Sequence, residues 1–432
     1  MKGQTLFSDR EADLRTEFIA GLTSFLTSSY IIAVNPLVLS QAGMDSKQLI
    51  AVTCIASAVA TMLMAVWPRV PVLMAPGMGL NAFFAITVVG TLGYSWQQAL
   101  GFVFWAGFIF LVLSIFGFRE RVAAAIPANL RVAGSVGIGV FIAYLGFRNL
   151  GLLQTDSSGL LHLSRIDGTH ALGLIGLLLM AWLEARKVKA SLLVGIVAVT
   201  VLSMILKYAP LPGAWISSPP SIAALAGQLQ WIPPMNPGTV IVILTFLYVA
   251  LFDGLGTVLA VSEAAGMSKE PGYEKKLSRM LTADSISNMI GAVLGTSTVT
   301  AYIESNTGIS QGGRTGWTAF FVGIFFLLAL FFVPFVAAIP PYATAPALIM
   351  VGVFMIREIT RIHFEAWDEA LPAFLTILLM PLTTSIATGL MFGFISYVLL
   401  KVLLGKWQDL NAVLIGIALF SIFNLVVSGR LR

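Results

Sequence analysis

Apolar runs of about 16 to 26 residues follow one another, separated by short polar breaks, from residue 18 to residue 404. A helix needs roughly 20 apolar residues to cross the hydrocarbon of a bilayer, where every backbone amide must be satisfied internally. The pattern predicts spans at 18–40, 48–67, 70–91, 97–117, 129–150, 170–186, 189–208, 238–263, 278–295, 297–312, 315–338, 342–358, 369–384 and 386–404, fourteen in all. One more apolar stretch, 409–427, either lies shallowly in the bilayer or implies that an earlier pair does not fully cross. The first 17 residues alternate acid and base, and the run after them is long enough to span. The expectation is an uncleaved chain whose N-terminus starts in the cytoplasm and stays anchored.

Charge tests that threading. With the N-terminus inside, the inner loops hold 19 of the Lys and Arg residues, whereas the outer loops hold only Lys47, Arg148, Arg165 and Lys207. Basic residues sort to the cytoplasmic face of a membrane protein, so a split this uneven supports the orientation. Internal repetition points the same way. Ala124-Ala125-Ile126-Pro127 recurs as Ala337-Ala338-Ile339-Pro340, and Gly139-Val140-Phe141 recurs at the same offset as Gly352-Val353-Phe354. Leu178-Leu179-Met180 returns in order as Leu378-Leu379-Met380. These matches suggest a duplicated seven-span unit. An odd number of spans turns the second copy upside down, an arrangement that secondary transporters use.

Composition narrows the function classes. Of 432 residues, 58% are apolar and 10% charged, with a mean hydropathy of +0.92; a soluble protein carries about a quarter charged residues. The lipid bilayer is therefore the solvent for most side chains. A net charge of +5 sorted to one face forms no nucleic-acid patch. Cys54 stands alone, and three histidines without companions at ligand spacing make no metal site, so no resident cofactor is expected.

Two spans do not read as continuous helices. Span 3 carries Pro71, Pro76, Gly77 and Gly79 near its start, which predicts extended chain giving way to helix at about Met78. Span 10, from Gly295 through Thr300 to Gly308, is rich in hydroxyls and β-branched residues, is too short to cross as a helix, and holds the matching place in the second unit. Irregular backbone at membrane depth is tolerated where protein or a wet cavity satisfies it, so paired interruptions predict two short strands and two half-helices around a central site.

Polar residues inside spans are expensive, which makes them informative. Asp253 sits mid-run in span 8, where a carboxylate costs about 2.5 to 3.5 kcal/mol on insertion scales and needs partners, water or a proton. Helical spacing puts Phe246 and Thr257 on its face. Glu304 opens the half-helix of span 10, and Asn81 the half-helix of span 3; an amide offers donors and an acceptor to a planar ring, though it also serves as a cap. Phe252 and Tyr302 stand beside these positions and offer aromatic faces, and Thr27 in span 1 is a weaker candidate alongside Ser28 and Asn35. Asp284 and Asn288 read as a structural pair, while Glu263, Glu358 and Asp368 read as solvated. Two acids, amides and aromatic faces without a nearby Lys or Arg suit a small, planar, uncharged ligand and suit an anion poorly.

The segments Thr27–Pro36, Ala42–Asp45, Ala75–Phe83, Gly295–Thr300, Tyr302–Ser305, Gly312–Gly316 and Tyr342–Leu348 together resemble the AzgA-like purine permeases, which carry adenine, guanine and hypoxanthine and are related to uracil and xanthine permeases. The resemblance runs from about residue 16 to 404. It implies an all-α polytopic membrane protein with the uracil-transporter fold, two inverted seven-span repeats and two short strands in spans 3 and 10. It further implies a cytoplasmic segment 1–17, a core of 18–117 (spans 1–4) and 238–340 (spans 8–11), a gate of 118–208 (spans 5–7) and 341–432 (spans 12–14 and the C-terminal segment), and an outer loop 209–237. The family's binding asparagine, aspartate and glutamate fall on Asn81, Asp253 and Glu304. Span 8 departs from the family pattern in carrying Ala250 for an acid and Gly254 for a threonine.

The function this implies is import of a purine nucleobase across the plasma (inner) membrane by proton symport, with Glu304 and Asp253 in substrate binding and proton coupling and the core rocking against the gate. Sodium in place of the proton and a homodimer through the gate surfaces stay open. One rival is the same architecture carrying uracil, xanthine or an anion. The other is an intramembrane enzyme, which lacks any His or Cys to pair with the buried acids.

Overall fold

The computed structural model describes residues 7–8, 12–115, 126–156, 161–233 and 236–430. Arg119, Arg121 and the Ala124-Ala125 half of one repeat motif lie outside them. Each of the fourteen predicted windows holds an element, and nine helices among the described residues are long and apolar enough to cross a membrane. Span 1 starts at Leu14, earlier than its apolar run, because Asp13 accepts from the Arg15 amide and the Thr16 hydroxyl. It breaks between Leu14–Ser28 and Ile31–Leu39. Thr27, Ser28 and Ser29 bond back to the carbonyls of Thr23, Ser24 and Leu26, which competes with the helix ladder, and Pro36 removes a further donor.

Four short strands are present among the described residues: β1 (Met74–Pro76), β2 (Leu153–Thr155), β3 (Leu161–Leu163) and β4 (Val299–Ala301). β1 and β4 pair antiparallel, Met74 opposite Ala301, Ala75 opposite Thr300 and Pro76 opposite Val299. Spans 3 and 10 therefore run in opposite directions at their point of contact, as inverted copies require. Helix follows each strand: Met78–Ala82 and the wider π-turns of Phe83–Thr91 in span 3, and Ser305–Ile309 in span 10. Protein groups satisfy the outer edge of β1 and extend the seam between the two strands. The Thr61 hydroxyl of span 2 accepts from the Met74 amide (2.9 Å) and donates to the Met74 carbonyl (3.0 Å), the Ser305 hydroxyl accepts from the Leu73 amide, and Gly77 and Tyr302 donate to the carbonyls of Thr298 and Leu73.

The other helices pack in two sets. Ser46–Val66 packs on Gly316–Ala329, Trp96–Ile115 on Tyr273–Leu294, and span 1 on span 11. Elsewhere Ala128–Asn149 packs on Pro341–Ile356 and Trp367–Leu382, the last of these on Ile386–Leu403, and Pro341–Ile356 on Gly168–Ala185. The helix Ala412–Arg430 lies against spans 14 and 8.

The sequence pattern missed three features. The β2–β3 hairpin stands on an exposed connection, and three-residue strands are too short to show a period of two. Asp368, read as solvated, is 3% exposed, with Lys401 Nζ at 2.9 Å and Lys406 Nζ at 2.7 Å. The helix Trp367–Leu382 puts it in a first turn packed against the end of span 14, where Lys401 also meets Glu369 and Asp409. Glu17 is buried too, accepting from the amides of Arg314 and Thr318 and from the Thr318 hydroxyl, so that span 1 closes the start of span 11.

Candidate functional site

The β1–β4 ribbon brings spans 1, 3, 8, 9 and 10 together. Gly77 ends the strand of span 3 and leads its helix; a Cβ there would meet Thr300 Cγ2 at 3.3 Å, Thr298 Oγ1 at 3.4 Å and Asp253 Oδ2 at 3.9 Å. The missing side chain eases the approach of Thr300 on β4, and the Asp253 carboxylate lies at ordinary contact distance beside the same position. Gly254, next along span 8, plays the same part for span 9, since a Cβ on it would stand 2.5 Å from Asp284 Oδ2. Asp284 Oδ1 accepts from the Thr300 hydroxyl (3.1 Å) and the Ala301 amide (3.3 Å), and Asn288 donates to the Asp284 carbonyl.

Asp253 and Glu304 are half-buried, whereas Asp284, Thr298, Thr300 and Tyr302 are buried. Asp253 lies within electrostatic reach of both Asp284 and Glu304, and Tyr302 within reach of both Glu304 and Asp253. The two acids thus share one place. Among the described residues neither forms an ion pair with Lys, Arg or His, and Asp253 makes no protein hydrogen bond through its carboxylate. Glu304 precedes the helix Ser305–Ile309 without capping it, and its Oε1 accepts from Tyr30 Oη at 2.8 Å. Mid-depth carboxylates left without a cation need water, a proton or a ligand.

The remaining candidates divide. Asn81 is fully buried, its Nδ2 2.6 Å from Asn35 Oδ1, while Asn35 donates to the hydroxyls of Thr53 and Thr296. Asn81 therefore joins a polar chain through spans 1, 2, 3 and 10, and its Oδ1 has no partner among the described residues. Tyr302 is 7% exposed and donates to the Pro76 carbonyl, tying span 10 to the end of β1. Thr27 is half-buried and accepts from the Thr307 hydroxyl at 3.3 Å. Thr257 is half-buried one turn from Asp253 on the same helix. The side chain of Phe252 lies outside the described residues; Phe246 packs edge-on against Phe83. Sequence reasoning passed over Tyr30, whose one signal is a phenol at the end of the hydroxyl run Thr27–Ser29, and it gave Asp284 a local role although it faces Asp253.

Comparisons with known proteins agree with this architecture. The transmembrane domain of the cyanobacterial bicarbonate transporter BicA superposes with a TM-score of 0.64 at 16% identity, covering 87% of this chain and 97% of that one. The inward-facing structure of the murine anion transporter Slc26a9 gives a TM-score of 0.67 at 10% identity over 93% of this chain and 70% of that one. Identities this low establish a shared fold alone. In sequence, the chain is 41% identical to the adenine permease AdeP of Escherichia coli (95% of this chain, 93% of AdeP) and 41% identical to the guanine/hypoxanthine permease PbuG of Bacillus subtilis (98% and 99%). The Permease family model matches residues 15–392. This chain, a multi-pass membrane transport protein rather than an enzyme, belongs to that family.

Proposed function

We propose that the protein imports purine nucleobases by proton symport, the base binding beside Asp253 and Glu304 at the β1–β4 ribbon. The observation that carries this reading is the pair of half-buried carboxylates within reach of each other that, among the described residues, have no cation beside them. Carboxylates accept from ring and exocyclic N–H groups and, when protonated, donate to ring nitrogens, so they match the alternating edge of a purine. The names of AdeP and PbuG support purines as cargo. Spans 1–4 and 8–11 form the moving core and spans 5–7 and 12–14 the gate. Among the described residues, hydrogen bonds from Gln41 to Asn149 and from Thr87 to the Thr384 carbonyl cross between these sets, on the face that the charge threading makes external. Rocking of the core exposes the site to each side in turn, and these bonds break in the outward-open state.

The test is uptake of labelled adenine, guanine and hypoxanthine in cells lacking their own carriers, with and without a protonophore. Accumulation that collapses with the protonophore is the expected result, and Asp253→Asn and Glu304→Gln each abolish it. Normal accumulation by both variants would sink the assignment.

A further inference from the structure

Glu304 has one protein partner for its carboxylate among the described residues, the phenol of Tyr30. Tyr30 is 3% exposed and sits at the break in span 1, between Leu14–Ser28 and Ile31–Leu39, on backbone shaped by the hydroxyl run before it. The ring is held by burial, and its hydroxyl makes one hydrogen bond among the described residues, to Glu304 Oε1. Glu304 itself is half-buried and has room to exchange a proton or meet a ligand. The other titratable groups that face it are Tyr302 of its own span and Asp253 of span 8, and Asp253 in turn faces Asp284 of span 9. The Tyr302 hydroxyl is already committed to the Pro76 carbonyl.

A carboxyl group has two oxygens, and a proton on one of them leaves the other an acceptor. With Tyr30 donating to Oε1, that oxygen remains an acceptor in both protonation states, so an incoming proton binds Oε2. We propose that Tyr30 is a positioning residue that fixes Oε2 of Glu304 as the oxygen that takes up and releases the transported proton and presents it to the substrate. This rests on the proposed reading of Glu304 as the coupling acid. Without the hydroxyl the carboxyl rotates freely, the proton is shared between both oxygens, and the tie between base binding and protonation loosens.

The decisive variant is Tyr30→Phe, which keeps the ring and removes only the hydroxyl. Purified protein in liposomes is loaded for two measurements with hypoxanthine as the probe: accumulation driven by an imposed pH gradient, and exchange at equal pH, which needs no net proton movement. Accumulation is expected to fall by roughly tenfold, the scale of one hydrogen bond to a charged group, while exchange changes by less than about twofold, within the spread of a surface substitution. Tyr302→Phe, which cuts a tie to the backbone, lowers both together. A fall of both in Tyr30→Phe, or of neither, overturns the proposal. If Tyr30→Phe does not fold, Tyr30→Met takes its place under the same two readouts. Normal accumulation by Glu304→Gln alone removes the reading beneath it, a result distinct from normal accumulation by Tyr30→Phe alone.

Discussion

Two regions of this bundle bury charge on opposite terms. Where the ends of spans 13 and 14 meet, Lys401 is about 5% exposed at its side chain and lies within 3.0 Å of carboxylate oxygens of Asp368, Glu369 and Asp409, with the Tyr397 ring beneath it. Each buried charge there has its counter-ion. At the β1–β4 ribbon, Asp253 and Glu304 gather and, among the described residues, neither has a cation beside it. The first arrangement is complete and can only hold things together. The second is unfinished by the protein's own groups, so its completion falls to something mobile, a proton or a ligand. In a lipid-facing fold the informative acid is the one left without its opposite.

The largest expected effect follows from that contrast. Glu304→Gln and Asp253→Asn remove charges that the fold does not neutralise, so accumulation is lost while thermal stability in detergent stays level or rises. Lys401→Met does the reverse. It leaves Asp368 buried with only Lys406, and breaking a buried ion pair costs about 3 kcal/mol or more, so the melting temperature drops sharply while uptake per folded molecule is retained. If Glu304→Gln proved as destabilising as Lys401→Met, with uptake falling only in proportion to folded protein, the contrast between the two regions would disappear.

A smaller effect is expected at Asn81, which lies between the two cases. It stands in the half-helix that follows Gly77, yet its side chain is spent on Asn35 inside a buried chain of amides and hydroxyls. Asn81→Ala leaves the Asn35 carbonyl oxygen buried without that donor, a loss of about 1–3 kcal/mol in stability. Because Asn81 steadies the helix that carries Gly77 toward Asp253, the apparent KM rises by less than about tenfold, short of one charged hydrogen bond. A KM change as large as that of Glu304→Gln, with stability unaltered, would move Asn81 to the ligand side of the comparison.

Most of this was legible because the membrane restricts what a sequence can do. Span positions follow from apolar length, and the interruptions at Pro71–Gly79 and Gly295–Thr300 from residues that cannot continue a helix in lipid. Asp253 and Glu304 stand out because each is isolated from other charges along its own span. What stayed hidden was long-range partnership. Tyr30 and Glu304 are separated by 274 positions, Glu17 and Thr318 by 301, and no periodicity links them. Asp368 illustrates the limit. Its neighbours in sequence suggest a solvated loop acid, and only the packing of span 13 on span 14 reveals its lysine. Glycine carries a signal that is legible at one place and hidden at another: Gly77 breaks a helix pattern visibly, while nothing along the chain shows that the bare Cα of Gly254 makes room for Asp284.

The smallest expected effect concerns an acid that is neither buried nor unfinished. Asp167, with 61% of its side chain exposed, caps the helix Gly168–Ala185 through Oδ1, which accepts from the Thr169 hydroxyl (2.6 Å), the Thr169 amide (2.8 Å) and the His170 amide (3.0 Å). The Thr169 hydroxyl bond, followed by the backbone bonds, pulls its carboxyl down to about 2 from the ordinary value of 3.8. A depressed carboxylate contributes stability above its unfolded value and loses it as pH falls through the folded one. At neutral pH Asp167→Ala therefore melts slightly below the parent, and the gap narrows between about pH 4 and pH 2. Asp167→Asn, an equally good cap, melts close to the parent at neutral pH. Accumulation of the base is unchanged in both variants, since this carboxylate is exposed and has three donors where Glu304, among the described residues, has Tyr30 alone. A gap that widened toward low pH would mean that the protonated acid is the better cap, and would separate exposed acids from buried ones on grounds other than the completeness of their partners.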